Sequence, residues 1–322
     1  MCFPAMIGIG QQAGKSYDFA RIILMIKSRI SILGCLFAIN FAAGASTRPI
    51  DNVSANVHPL HQELVNAKDY KAFFDKVKNL PESGGLYYAT LALSRCADVR
   101  DLLSQESDNN KKGLTRDTIA KRKTAVKKLA LLCSRFSDSD LTIEKINNLL
   151  QSAEAVKDPL MSIVTEIVPV EDGTKQLSLS DYRRILTELF KQNSPEAILD
   201  FSDVEPIQGE GHFFDGKFYK SFPPHDGALY LSASLMGVCA IGDSCNSHDY
   251  RLEIACARKS ICVSNRRDYV KAVFHILEEL NNPRDAKEVV DLSKKISIAY
   301  ENHDVDRFVP ASGAKSSGNN PK

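Results

Sequence analysis

The stretch DGALYLSASLMGVCAIGDSCNSHDYRLEIACARKSIC, Asp226 to Cys262, holds four of the chain's eight cysteines, and its reading sets the fold class. A motif Cys-Ala-x4-Cys occurs in it twice, as Cys239-Ala240 with Cys245 and as Cys256-Ala257 with Cys262. Ahead of Cys239, the residues Ala228, Leu231, Leu235 and Val238 recur at helical spacing. Leu229, Ala233 and Met236 widen that stripe, so the helix is expected to be largely buried. Gly242-Asp243-Ser244 breaks it. A shorter helix follows from about Asp249 to Ala257, with Leu252 and Cys256 one turn apart on one face. The expectation is an αα-hairpin with a thiol at the exit of each helix.

The redox state of those thiols depends on the compartment, and the N-terminus speaks to that. Lys27-Ser28-Arg29 precede an apolar run from Ile30 to Ala42 and then Ala43-Gly44-Ala45. This is the order of a signal peptide over residues 25–45, with cleavage before Ser46 and a periplasmic or secreted product. The run is shorter than the roughly 20 residues of a membrane-spanning helix. Cys35 follows Ile32-Leu33-Gly34 as in a lipoprotein box, but apolar sequence continues past it, so lipidation is not the reading. Residues 1–24 fit no targeting pattern and are taken as an upstream extension. Within them Gly14-Lys15-Ser16 mimics the end of a phosphate-binding loop, yet Ile9 stands where its first glycine belongs. Cys2 and Cys35 leave with the leader. The cysteines that remain form an even set, as expected of a disulfide framework in an oxidising compartment.

The rest of the chain reads as helix after helix. Segments are expected at about 59–67 and 69–79, and then a stronger one in which Leu86, Ala89, Leu93 and Cys96 share a face. Thr115 to Cys133 is the next, also with its cysteine inward. Two inward cysteines on consecutive helices point to a Cys96–Cys133 bridge, which closes a loop of about 38 residues and contributes about 4 kcal/mol in the chain-entropy model; the alternative is two buried free thiols. Asp140 and Ser180 are expected as helix caps, Pro159 and Pro195 as first-turn prolines, and Asn282-Pro283 as the start of the last helix. Glu171-Asp172-Gly173 is the candidate boundary between an N-terminal lobe, 46–170, and a C-terminal lobe, 171–309; a disordered tail is expected over 310–322. The fold class is all-α, packed αα-hairpins stapled by disulfides, with one irregular segment at 201–226. For the repeated motif, its symmetry favours Cys239 with Cys245 and Cys256 with Cys262; the alternative crosses the repeat, Cys239 with Cys256 and Cys245 with Cys262.

Function is less legible. Lys121, Arg122, Lys123, Lys127 and Lys128 form the densest basic cluster, on the outer face expected for its helix. It reads either as a contact for an anionic envelope component or as a solvated face. The formal net charge is only +1, so bulk nucleic-acid binding is not expected. Glu205, Glu210, His212 and Asp215 lie in the irregular segment, and a carboxylate pair or a His-carboxylate pair is what acid/base hydrolysis needs. The alternative there is a surface loop or small hairpin pinned by its aromatics. His58 and His61, beside Pro59, lack the Glu of a metalloprotease helix and are expected at the surface. Cys239, Cys245, Cys256 and Cys262 with His248 would suit zinc only if reduced, and their spacing is wider than zinc pairs use. No cofactor or metal is expected.

Leu150-Gln151-Ser152-Ala153-Glu154-Ala155-Val156-Lys157-Asp158-Pro159, Tyr88-Ala89-x4-Ser94-Arg95-Cys96, and Gly237-Val238-Cys239-x2-Gly242-Asp243-x-Cys245 ahead of Ala255-Cys256-x5-Cys262 carry a resemblance. They are similar to an uncharacterised family of exported, cysteine-paired helical proteins of proteobacteria and, more distantly, to Sel1-like helix-pair proteins. The resemblance implies a helical fold, bridges between neighbouring helices and a role in protein contact, with no assigned chemistry. The chain departs from it in having no tandem repeat of about 36 residues, and Val156-Lys157 replaces an expected glycine. The leading function is therefore an exported binding or scaffold protein with a protein or envelope partner. The rival is a secreted or periplasmic hydrolase built on the 201–226 segment.

Overall fold

Helix α3, Gly85–Gln105, is the axis on which the first half of the chain is built. Beside the stripe of Leu86, Ala89, Leu93 and Cys96 it buries a second one, Tyr88, Ala92, Arg95, Val99 and Leu102, so its first turns are covered on nearly every side. Only glycine fits at its start, because a Cβ on Gly85 would lie 2.1 Å from the Val77 carbonyl oxygen. The structure is a computed structural model, and it describes residues 57–105, 114–171, 177–207, 210–220, 224–246, 249–280 and 286–311. The expected leader, the upstream extension, the Asn282-Pro283 cap and most of the expected tail lie outside them. Pro310, taken as the first tail residue, is buried.

Around α3 pack α1 (Pro59–Asn66), α2 (Tyr70–Val77), α4 (Arg116–Cys133), α5 (Ile143–Val156) and α6 (Pro159–Glu171). Sequence dictates most of their ends. Asp69 caps α2 by accepting from Lys71 N at 2.9 Å and Ala72 N at 3.1 Å, and Thr115 caps α4. Buried Asp158 serves two helices at once, accepting from Leu86 N and from Met161 N, each at 2.9 Å. Two expected caps are displaced. Thr142 rather than Asp140 accepts at the start of α5, because Asp140 is turned back onto Ser137 N. Ser178 rather than Ser180 caps α7 (Leu179–Gln192) through Asp181 N at 3.1 Å. Ser194 and Pro195 begin α8 (Pro195–Ser202) as expected.

The irregular segment contains a small hairpin, β1 (His212–Phe214) with β2 (Lys217–Tyr219), paired antiparallel as 212 to 219, 213 to 218 and 214 to 217. Asp215 and Gly216 make its turn with φ of 54° and 82°, the two positive angles that an Asp-Gly hairpin turn supplies. Then come α9 (Pro224–Gly237), α10 (Tyr250–Lys259, capped by Asp249), α11 (Arg266–Leu280) and α12 (Ala286–Glu301). The described helices are twelve, and the two-strand hairpin is the sheet among the described residues, so the all-α expectation holds.

All six cysteines beyond Ala45 are bridged: Cys96–Cys133 across α3 and α4, Cys239–Cys245 and Cys256–Cys262 within each repeat of the motif. The αα-hairpin drawn from the 226–262 stretch needs correction. Its first helix, α9, lies along α12, and its second, α10, lies along α4, so the two motif bridges lock the exits of helices with different neighbours. Contacts also cross the boundary expected near Glu171. One buried apolar cluster includes residues from both sides of it, Leu93 and Leu129 as well as Leu189 and Ile296.

A buried charge cluster as the candidate functional site

Four helices and a turn bring six charged side chains together between α3, α8, α10 and α11. Arg95 sits on the second buried stripe of α3, where a guanidinium requires a partner. It donates to Glu196 Oε1 of α8 at 2.6 Å and to the Tyr70 hydroxyl at 3.2 Å, and its guanidinium lies 4.7 Å over the Tyr250 ring. Arg251 of α10 donates to both Glu196 oxygens, one of them at 3.0 Å. Arg266, 1% exposed at the first residue of α11, donates through Nε to Asp249 and through Nη1 to the Leu235 carbonyl at 2.9 Å, and its Nη2 lies 2.7 Å from Asp243 Oδ2. Asp243 comes from the turn inside the Cys239–Cys245 loop, and its Oδ1 accepts from Ser244 N at 2.8 Å. Three guanidiniums face three carboxylates, so the cluster is neutral as a whole.

His61 of α1 completes it from the N-terminal side. Its Nε2 is 3.2 Å from Asp243 Oδ1 but out of line for a hydrogen bond, and its Nδ1 has no hydrogen-bond partner among the described residues. Both His61 and His58 are buried, contrary to the surface expected of them. His58 accepts from Leu60 N and packs 5.0 Å from the Tyr88 ring; burial, reinforced by His61, lowers its pKa to about 4. The carboxylates respond in opposite ways. Burial alone would raise Glu196, but Arg251 and Arg95 overcome it and hold the group at about 2. Asp243 is likewise held low against burial, by Arg266 first. Asp200, one turn beyond Glu196, is in no salt bridge among the described residues, and burial and Glu196 raise its pKa more than the Arg251 charge lowers it. Burial and then the Glu196 charge push it up to about 6, and it accepts from the Tyr87 hydroxyl at 2.8 Å.

His61, Glu196 and Asp243 place three potential ligand atoms within 4.8 Å of one another. The donor types suit a divalent metal, but the surroundings do not. Both Glu196 oxygens already accept from guanidiniums, and Asp243 is shared between Arg266 and a backbone N–H. A dication there would be buried beside three arginines in a low dielectric. The cavity bounded by Tyr70, Arg95, Glu196, Asp243 and Tyr250 measures about 10 Å³, room for about one water molecule and far short of a substrate site.

The residues singled out in sequence fall elsewhere. Arg122 is not on the outer face: it is 4% exposed, and its Nε donates to the Ala257 carbonyl at 2.7 Å, tying α4 to α10. Lys128 pairs with Glu253 of α10 and exposed Lys121 with Asp117 at 2.8 Å, which leaves Lys123 and Lys127 exposed and without an ion pair among the described residues. His212 is buried and stacks on Tyr230 at 4.7 Å, while Asp215 at the hairpin turn is held by Arg307 at 3.0 Å, which lowers its pKa. Glu205 and Glu210 are half-buried beside that hairpin. None of these four belongs to the charge cluster, and His248 lies outside the described residues. The cluster itself went unread because Glu196 resembles an ordinary first-turn acid and Asp243 an ordinary turn residue. The 88, 92, 95, 99 spacing on α3 was the available signal, since it puts Arg95 on an apolar stripe. No family model matches the chain, and no curated protein or solved structure shows significant similarity to it.

Proposed function

We propose that the protein is an exported helical binding or scaffold protein that contacts a protein or an anionic envelope component. The observation that carries this reading is the pairing of every cysteine beyond Ala45 into three disulfides, since such bridges persist in oxidising compartments. The signal-peptide pattern of residues 25–45 agrees with it. Among the described residues no helix is long and apolar enough to cross a membrane. The buried cluster supports a scaffold role as well, because its charges are spent on one another and its cavity admits no substrate. Exposed Lys123 and Lys127 on α4 are the part of the basic cluster free to meet an anionic surface.

Mass spectrometry of the protein recovered from its producing cells, intact and as unreduced peptides, tests the reading. The expected result is a chain beginning at Ser46 with three intact bridges. A chain that keeps its leader and carries free thiols overturns it.

A further inference from the structure

The Cys239–Cys245 bridge differs from the other two in what its loop encloses. Between the cysteines, which are six positions apart, lie buried Ile241 and Asp243 on either side of half-buried Gly242. Three separate elements are fastened to this loop. From α1, Gln62 Nε2 donates to the Gly242 carbonyl at 3.2 Å and His61 abuts the Asp243 carboxylate. From α11, Arg266 gives its backbone N–H to the Cys245 carbonyl at 3.2 Å, and its Nη2 forms an ion pair with Asp243 at 2.7 Å. From α10, Arg251 lies 3.7 Å from Asp243. Gly242 adopts φ of 97°, and a Cβ there would lie 2.9 Å from Val57, so the chain ahead of α1 rests directly on the loop.

The bridges also differ in access. Cys239 and Cys245 are both half-buried, whereas Cys96, Cys133 and Cys256 are buried, so each of the other two bridges has at least one shielded cysteine. Thiol–disulfide exchange depends on which sulfur an attacking thiolate can reach.

We propose that the Cys239–Cys245 disulfide is a redox-sensitive clasp on the buried charge cluster, opened by a dithiol reductant while the other bridges stay closed, and that its opening releases α1. In the exchange a thiolate of the reductant bonds to one cysteine sulfur and the Cys239–Cys245 bond breaks. The displaced cysteine leaves as thiolate and takes up a proton. The second thiol of the reductant then displaces the remaining cysteine from the mixed disulfide. Two electrons and two protons pass to the protein, which holds two thiols, and the reductant departs as its disulfide. Once the bridge is open, the turn has only the backbone hydrogen bonds of 3.2–3.3 Å from Ile241, Gly242 and Asp243 to hold its shape, and it loosens. Helix α1 has eight residues, too few to persist without tertiary contacts, and the loop supplies those of His61 and Gln62, leaving Leu60 and Leu64 as its remaining buried anchors.

The test uses the full oxidised chain, reduced in steps with dithiothreitol, with the free thiols alkylated and mapped and amide hydrogen exchange followed on the same samples. Cys239 and Cys245 are expected to be labelled at least tenfold faster than the other four cysteines. Exchange over residues 59–66 should rise in step, with α9 and α12 unchanged. The side-chain contacts hold the loop closed over the bridge, so Asp243→Asn, which keeps the bridge but weakens what the loop holds, should speed its reduction about fivefold or more. Gln62→Ala, a milder change, should speed it in the same direction. Earlier reduction of another bridge, or reduction of Cys239–Cys245 with exchange over 59–66 unchanged, overturns the clasp, as does a wild-type reduction rate in both variants. The outcome does not depend on where the cell keeps the protein, and so is separate from the export reading.

Discussion

Two junctions hold the C-terminal helices in place, and they are made of opposite materials. Where α9 meets α12, Gly237 lies against Ile296 and Tyr300, with a Gly237 Cβ position 2.8 Å from Ile296 Cγ2; the contact is close and mainly apolar, with one hydrogen bond from the Ser297 hydroxyl to the Gly237 carbonyl at 3.2 Å. Where α10 and α11 meet α3 and α8, the contact is three guanidiniums against three carboxylates. Apolar contact is non-directional, and its loss scales with the area and volume removed. The charge junction is a network in which each member has a named partner, so removing one strands another in the interior. The first junction supplies affinity between helices that many sequences would supply. The second defines which helices meet and in what register.

The sharpest way to break this comparison is to truncate one group at each junction. Glu196→Ala leaves Arg95 and Arg251 facing each other without their shared carboxylate, and a loss of about 3–5 kcal/mol is expected in denaturant unfolding. Ile296→Ala removes fully buried methyl groups, with a loss of about 2–4 kcal/mol. The two losses should part company with pH. Glu196 is depressed to about 2 from an ordinary value near 4.5, so its contribution is present above pH 4.5 and fades as pH falls towards 2. The gap between wild type and Glu196→Ala should therefore close over that window, while the gap for Ile296→Ala stays constant. Equal pH profiles for the two variants would erase the distinction between the junctions.

A smaller effect tests the edge of the charge junction, where the negative charge of Glu196 acts on Asp200 more strongly than the positive charge of Arg251. Its carboxyl is raised to about 6 in the folded chain against about 3.8 unfolded, so the native state binds the proton more tightly. Stability from this group is full below pH 3.8 and is lost as pH rises through 6. Asp200→Asn keeps an acceptor for the Tyr87 hydroxyl and carries no charge. It should equal wild type near pH 4 and exceed it by about 1–2 kcal/mol at pH 7.5, as read from denaturation midpoints at the two pH values. An advantage that shrinks as pH rises would show that Asp200 is paired rather than repelled.

The contrast between junctions also explains what sequence could and could not reveal. Apolar spacing is local, so the α9 stripe, the Cys96 and Cys133 faces and the pairing favoured by motif symmetry were all legible. Partner choice is not local. Nothing between 226 and 262 says that α9 will choose α12, about 50 residues on, or that α10 will choose α4, more than 100 residues back. Charged residues mislead most, since Arg122 fits an exposed basic face in sequence and is buried in the structure by the arrival of the Ala257 carbonyl. His61 and Asp243, 182 positions apart, could be recognised as neighbours only once the chain had folded.

The smallest expected effect serves as the control for both junctions. Helix α7 feeds each of them: Phe190 packs 5.8 Å from Tyr300 on the apolar side, and the Asn193 carbonyl accepts from His58 N at 3.0 Å beside the charge cluster. Its stability at the N-terminus rests on Ser178, whose hydroxyl accepts from Asp181 N, whereas Ser180 lies within the first turn and its hydroxyl reaches only Ser178. Ser178→Ala should cost about 1 kcal/mol at every pH, and Ser180→Ala no more than about 0.5 kcal/mol. A Ser178→Ala loss that varied with pH would mean that α7 transmits the protonation of the cluster to the cap. A constant loss shows that the pH response belongs to the charge junction alone, since the cap's titratable partner, the Asp181 carboxylate at 2.6 Å, is no member of the cluster.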